Sequence, residues 1–289
     1  MDLISPILLS LALQVGPNPH IGNDMGPPDE LVNRPERNPR DNPLERGVED
    51  NPDTVWLAKC LAFLPDEAAR AHTLAQVRRN ETFGRQRILA NHCLGLAATE
   101  LGLWGDARAA FAAARDEVPD DEPRTKARFG AMAGNAAVAD SDPEGALAIL
   151  TTAKAHAEAS ASAPMQAIVA SDLARVLVTL ERPEEALAEL ELSAQLAPGE
   201  AATWLLLKAT LLRRLERLDE AQAAIEKASE LAAVNADMSA PIGLEAGVIA
   251  VLSGREDAAR TSWQSVIDTA PQSPEALTAQ GYLAQLEPA

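Results

Sequence analysis

The sequence has few of the side chains that carry enzyme chemistry. Its 289 residues include four histidines, two cysteines and one tyrosine, and aromatic residues make up only 3% of the chain. It contains no zinc-protease helix signature, no glycine-rich phosphate loop and no nucleophile elbow. These absences argue against an enzyme, and against a bound metal ion or cofactor.

An excess of basic residues is also lacking. Asp and Glu number 43 against 25 Lys and Arg, which gives a formal net charge of −18. Such a surface repels nucleic acid and anionic membranes and favours neutral or basic protein partners; the alternative is that the acidic residues only keep an alanine-rich chain in solution. Alanine and leucine are abundant while β-branched runs are scarce, so the composition predicts an all-α protein with an aliphatic core.

No apolar run is long enough to span a bilayer, but the one from Leu3 to Val15 has the length of the apolar part of a secretory signal. We therefore expect a signal peptide over residues 1–14 and a periplasmic or secreted mature chain without a membrane span. The run follows Asp2 and no Lys or Arg, so a frayed apolar end or a misassigned start is the alternative. Residues 15–53 are rich in proline and repeat Asn-Pro, which predicts a disordered linker.

Five similar stretches follow, each with one small residue that can serve as an anchor. The anchors are spaced by 39, 40, 35 and 38 residues, and a larger apolar residue stands four positions after each. Offsets of four lie on one helical face, so each stretch predicts an amphipathic helix. A second apolar helix precedes it, and in most pairs a short break that contains glycine or proline separates the two helices. The anchors are Ala107, Ala146, Ala186, Ala221 and Ala259, and the larger residues are Phe111, Leu150, Leu190, Ile225 and Trp263.

This pattern resembles the tetratricopeptide repeat (TPR), whose usual period is 34 residues. The family's small residue at its eighth position falls on Gly95, Gly134, Ala174, Ala209 and Gly247. The resemblance implies an α-solenoid over residues 54–289, made of about five to six antiparallel helix pairs in a right-handed superhelix. The stretch from residue 54 resembles a degenerate first pair broken at Pro65, and the last stretch resembles a single capping helix.

The two cysteines fall in the first helices of neighbouring pairs. In an exported chain, a disulfide between Cys60 and Cys93 is expected, and the alternative is two buried thiols in a helical core. The bond would also favour the envelope over the cytoplasm.

The resemblance implies a non-enzymatic scaffold that binds a protein or peptide in a groove lined by exposed side chains of the first helices. Asn135 and Arg175 together suit a peptide carboxylate, although the family's chaperone-binding clamp is not reproduced. Alternatives are a cytoplasmic adaptor or regulatory module and an accessory subunit of an envelope enzyme. The polar residues that the alignment places in or near the groove are His92, Arg128, Asn135, Ser171 and Arg175.

Overall fold

The computed structural model describes residues 52–232 and 238–286, and within these ranges it contains thirteen α-helices, a 3-10 turn at Pro198–Glu200 and no β-strand. The predicted signal peptide and all but the last two residues of the predicted linker lie outside the described residues, and the first helix begins at Pro52. The helices are α1 (Pro52–Leu61), α2 (Leu64–Glu81), α3 (Arg85–Glu100), α4 (Trp104–Glu117), α5 (Pro123–Ala139), α6 (Pro143–Ala159), α7 (Ala163–Thr179), α8 (Pro183–Leu196), α9 (Ala201–Arg214), α10 (Leu218–Ala232), α11 (Ser239–Leu252), α12 (Glu256–Thr269) and α13 (Pro274–Gln285).

Consecutive helices pack as pairs, from α1 with α2 to α11 with α12, and α13 follows as the single closing helix. This arrangement confirms the all-α helical-repeat class with six pairs and a capping helix. The break of the first pair lies close to the predicted Pro65, and the backbone at Glu67 also departs from helical φ/ψ. The first pair is interrupted at Ala62 and Phe63, and Pro65 lies inside the first turn of α2, where a missing backbone N–H costs nothing.

The turns inside the last five pairs share one backbone geometry. In each, one residue adopts positive φ, and the next N–H donates a hydrogen bond of 2.8–3.0 Å to the carbonyl five residues earlier. That bond satisfies a carbonyl left over at the end of the first helix. The positive-φ residues are Gly102, Ser141, Glu181, Glu216 and Gly254.

Small residues on the first helix of each pair let a large residue of the second helix pack against its backbone. A Cβ placed on Gly95 would lie 2.4 Å from the Phe111 ring, and one placed on Gly247 would lie 2.1 Å from the Trp263 indole nitrogen. Both aromatic rings are buried. The alternation of small and large residues in the sequence is therefore a packing pattern between the two helices of a pair.

Replacing Gly134 by alanine should destabilise the protein by about 1–2 kcal/mol. The new Cβ would lie 2.5 Å from Cγ of the fully buried Leu150, and the better helix propensity of alanine offsets only about 1 kcal/mol of the resulting strain. Urea denaturation of the two proteins measures the difference. Gly281→Ala is the matched control, because that helical glycine has no atom within 4 Å of its Cβ position and should become neutral or more stable. Equal losses in both variants would contradict the packing explanation.

The chain forms two compact units, with the boundary between Met165 and Gln166 in α7. The core of the N-terminal unit is built on α1 to α5 and includes Leu57, Ile88, Phe111 and Phe129. In the C-terminal unit, the buried large residues include Trp204, Leu205, Ile225, Ile242 and Trp263.

A disulfide joins Cys60 on α1 to Cys93 on α3 in the N-terminal unit. Their Cα atoms are 6.4 Å apart, both residues are buried, and the bond closes a loop that contains all of α2. The cross-link therefore ties the first helix of the described residues to the first helix of the following pair.

Candidate partner-binding surface

The five polar residues predicted to line a groove lie on first helices of their pairs, but they differ in exposure. His92, Arg128 and Ser171 are buried, with 1%, 5% and 2% of their surface exposed, which departs from the open positions expected for contact residues. Asn135 and Arg175 are partly exposed. Only these last two can touch a partner without a rearrangement of the fold.

In the N-terminal unit, His92 belongs to the core. Its ring lies edge-on to Phe129, with the ring centroids 5.4 Å apart, and neither ring nitrogen has a hydrogen-bond partner among the described residues. Burial, and then the positive charge of Arg128, lower the pKa of His92 from 6.5 to about 3. The imidazole is therefore neutral at physiological pH.

In the C-terminal unit, Arg175 forms an ion pair with Asp172 one helical turn earlier. The carboxylate of Asp172 is almost fully buried, whereas the Arg175 side chain retains access to solvent. Arg175 therefore has a fixed carboxylate neighbour that the sequence reasoning missed. The i, i+3 spacing of the two residues on one helix was the available signal.

A second ion pair in this unit joins two first helices. Nε of Arg213 on α9 donates to Oε1 of Glu245 on α11 at 2.6 Å, and the two side chains are only 12% and 13% exposed. Burial raises the pKa of Tyr282 on α13. The charge of Arg213 lowers this pKa, and the charge of Glu245 raises it. The sequence reasoning missed this cluster, whose members lie on three different helices.

Two surface depressions border α12, and one of them has Arg260 and Asp268 in its walls. The other depression, of about 480 Å³, lies between α10, α11 and α12, and its walls carry serine and threonine hydroxyls but no acid, base or histidine. Within residues 52–232 and 238–286, no group of three or more His, Cys, Asp or Glu side chains could hold a metal ion. No helix in the same ranges is long and apolar enough to cross a membrane.

No protein-family model and no curated protein sequence matches this chain. Solved structures do resemble it. PilW, a widely conserved type IV pilus biogenesis factor, aligns with a TM-score of 0.60 and 16% identity over 79% of this chain and 98% of its own. BtubC from P. vanneervenii aligns with a TM-score of 0.56 and 15% identity over 83% of this chain and 95% of its own.

A third similar structure has the repeat in its description. The kinesin light chain from Podosopora anserina with nearly identical TPR-like repeats aligns with a TM-score of 0.55 and 14% identity, over 63% of this chain and 94% of its own. Identities this low establish a shared fold and no shared activity. The paired helices, the small-to-large packing inside each pair and these likenesses together show that this chain is a helical-repeat protein with the tetratricopeptide-repeat fold.

Proposed function

We propose that this protein is a non-enzymatic scaffold that binds a protein or peptide through the first-helix faces of its repeats. The TPR fold carries the proposal, because stacked helix pairs build extended binding surfaces. The contact candidates are Asn135 in the N-terminal unit and Arg175 in the C-terminal unit, which are partly exposed. His92, Arg128 and Ser171 also lie on first helices of their pairs, but they are buried.

The proposed compartment is the bacterial cell envelope, in the periplasm or outside the cell. The disulfide between Cys60 and Cys93 supports this location, because such bonds persist in oxidising compartments. The fold likeness to PilW, a type IV pilus biogenesis factor, is compatible with it. Cell fractionation, with amino-terminal sequencing of the mature protein, tests the location. A cytoplasmic chain with free thiols would instead favour the adaptor alternative.

The net charge of −18 supports a partner that is a neutral or basic protein rather than nucleic acid. A pull-down from envelope extract, followed by titration of the purified partner, tests the scaffold proposal. Co-purification with a hydrolase or transferase would favour the alternative of an accessory subunit of an envelope enzyme. A chain that captures no protein would contradict the scaffold function.

Replacing Arg175 by alanine should weaken binding of that partner by about 1–3 kcal/mol, the value of a hydrogen bond to a charged group. Because Arg175 also pairs with the buried Asp172, helicity and thermal stability must be recorded beside the affinity. Arg255→Ala is the control, since that exposed arginine lies in a turn between helices and its side chain donates to Oε1 of Gln222 through Nη2. Unchanged affinity in a folded Arg175 variant would place recognition elsewhere.

A further inference from the structure

We propose that the turn between α2 and α3 rests on an anionic lipid surface, with the ring of Phe83 inserted among the lipid headgroups. The turn consists of residues 82–84 and belongs to the N-terminal unit. The inference goes beyond the proposed scaffold function, because it concerns a turn between two helix pairs and a membrane rather than a first-helix face and a protein.

Phe83 is held in solvent by a backbone that is fixed on both sides. It is 82% exposed, more than any other large apolar residue in the described ranges. The hydroxyl of Thr82 donates to the carbonyl oxygen of Arg78, in the last turn of α2, at 2.7 Å. The N–H of Gly84, whose φ of +58° favours glycine, donates to Oε1 of Glu117 on α4 at 2.7 Å. The ring therefore projects from an anchored turn.

Basic residues are concentrated on both sides of this turn. From Arg78 to Arg87 the sequence has four arginines and one acidic residue, whereas acidic residues outnumber basic ones by 43 to 25 in the whole chain. Arg78 and Arg87 pair with acidic side chains on α1 and α4. Arg79 and Arg85 form no ion pair with any residue in the described part of the chain. Their charges are therefore available to an anionic surface.

The start of α3 also favours an anion nearby. Arg85 and Arg87 lie in the first turn of this helix, where free N–H groups form the positive end of the helix dipole. That turn contains no acidic residue, and no side chain caps its N–H groups. Glu117 on α4 compensates the charge of Arg87, and an anionic surface beside the turn would compensate that of Arg85.

The shape of the patch suits a lipid surface. A single ring at the tip of a short turn enters the headgroup layer without a complementary pocket, because lipids rearrange around it. Leu74 and Val77 are also exposed, and their spacing of three places them on one face of α2, the helix that leads into the turn. Arginines next to exposed apolar side chains are the combination by which peripheral proteins bind anionic bilayers.

The amino-terminal segment joins the structure at the same end. Oδ1 of Asp53, in the first turn of α1, lies 3.1 Å from Nη2 of Arg78, in the last turn of α2. The chain that precedes Pro52 therefore enters beside the patch, and it carries the apolar run from Leu3 to Val15. The patch lies where an amino-terminal attachment to a membrane would hold the protein.

The net charge of −18 does not prevent the contact. At physiological salt, exposed charges separated by more than about 8 Å are largely screened, so the headgroups interact mainly with groups at the turn. The electrostatic part of binding should therefore decrease as salt is added, whereas the contribution of the Phe83 ring should remain.

The test is co-sedimentation of the full chain with vesicles of phosphatidylglycerol, which is anionic, or of phosphatidylcholine, which has no net charge. The wild type should bind the phosphatidylglycerol vesicles about 10-fold more tightly at low salt. Phe83→Ser should weaken binding to these vesicles by about 5-fold at every salt concentration. The double variant Arg79→Gln with Arg85→Gln should weaken it by about 10-fold at low salt and have little effect at high salt.

Two control variants lie in the C-terminal unit. Leu277→Ser is the control for the ring, because Leu277 is 66% exposed but lies on α13. Arg214→Gln with Arg255→Gln is the control for the charges, since both arginines are exposed. Both controls should bind vesicles as the wild type does, and circular dichroism checks that every variant remains folded.

The inference is overturned if the wild type does not bind phosphatidylglycerol vesicles, or if Phe83→Ser binds them as tightly as the wild type. Equal losses in the controls would also overturn it, because the effect would then not depend on this turn. An acidic protein that requires Phe83, in the absence of vesicle binding, would assign the patch to protein docking instead. Each of these outcomes leaves the scaffold function unaffected.

Discussion

At pH 5 the protein should be less stable than at pH 7.5 by about 2 kcal/mol because of one side chain, His92. Burial, with a smaller contribution from the charge of Arg128, lowers the pKa of His92 from 6.5 to about 3 in the folded protein. Below pH 6.5 the unfolded chain therefore binds a proton that the folded chain does not. The stability of the folded protein is therefore unaffected by His92 above pH 6.5. It falls by about 1.4 kcal/mol per pH unit as the pH decreases from 6.5 towards 3.

The measurement is a urea denaturation series at pH 7.5, 6 and 5 on the wild type and on His92→Leu. The leucine variant lacks the titrating group, so the difference between the two pH profiles isolates the histidine from every carboxylate. His156→Gln is the control. Its pKa is also lowered, first by burial and then by Lys126 and Arg115, but its ring is only partly buried and should contribute less. Parallel profiles for wild type and His92→Leu would show that the fold accommodates a charged imidazole at this position.

Reduction of the Cys60–Cys93 disulfide should lower the free energy of unfolding by about 2–4 kcal/mol. The bond closes a loop with a sequence separation of 33, and opening it restores conformational freedom to the unfolded chain. The effect should centre on the N-terminal unit, whose helices α1 and α3 the bond connects.

Thermal melting before and after reduction tests this expectation. Both cysteines are buried, so the protein should be reduced in mild urea and then returned to buffer with reductant present. The variant that carries Cys60→Ser and Cys93→Ser is the control, because its melting temperature should not respond to reductant. If the wild type also melts at the same temperature with and without reductant, the cross-link does not contribute to stability.

The repeat pattern was sufficient to locate the helix pairs because packing inside a pair follows short-range rules. Gly95 and Phe111 are 16 residues apart. A small and a large residue recur at this spacing in each of the five repeats, so the contact between them could be inferred from the sequence. Turns that contain glycine or proline were also predictable. The turn at Glu216 was missed because it contains neither, although its backbone adopts the same positive φ.

The exposure of polar residues was not predictable in the same way. His92 lies in a run from Ile88 to Gly95 in which every residue is buried, so α3 has no solvent face at this level. The polar side chain of His92 suggested a surface position, but the helices that pack around α3 leave no exposed position there. The ion pair of Arg213 with Glu245 depends on the lateral position of two helices, which spacing along one helix does not encode.

The disulfide also determines how the chain carries a mechanical load. A pulling force applied on the N-terminal side of α1 passes through the Cys60–Cys93 bond directly to α3, so α2 and its flanking turns lie outside the loaded path. While the bond is intact, the enclosed segment cannot extend, and at roughly 3.5 Å per residue it withholds about 110 Å of contour length. The segment from Cys60 to Cys93 therefore transmits force without extending as long as the bond is oxidised.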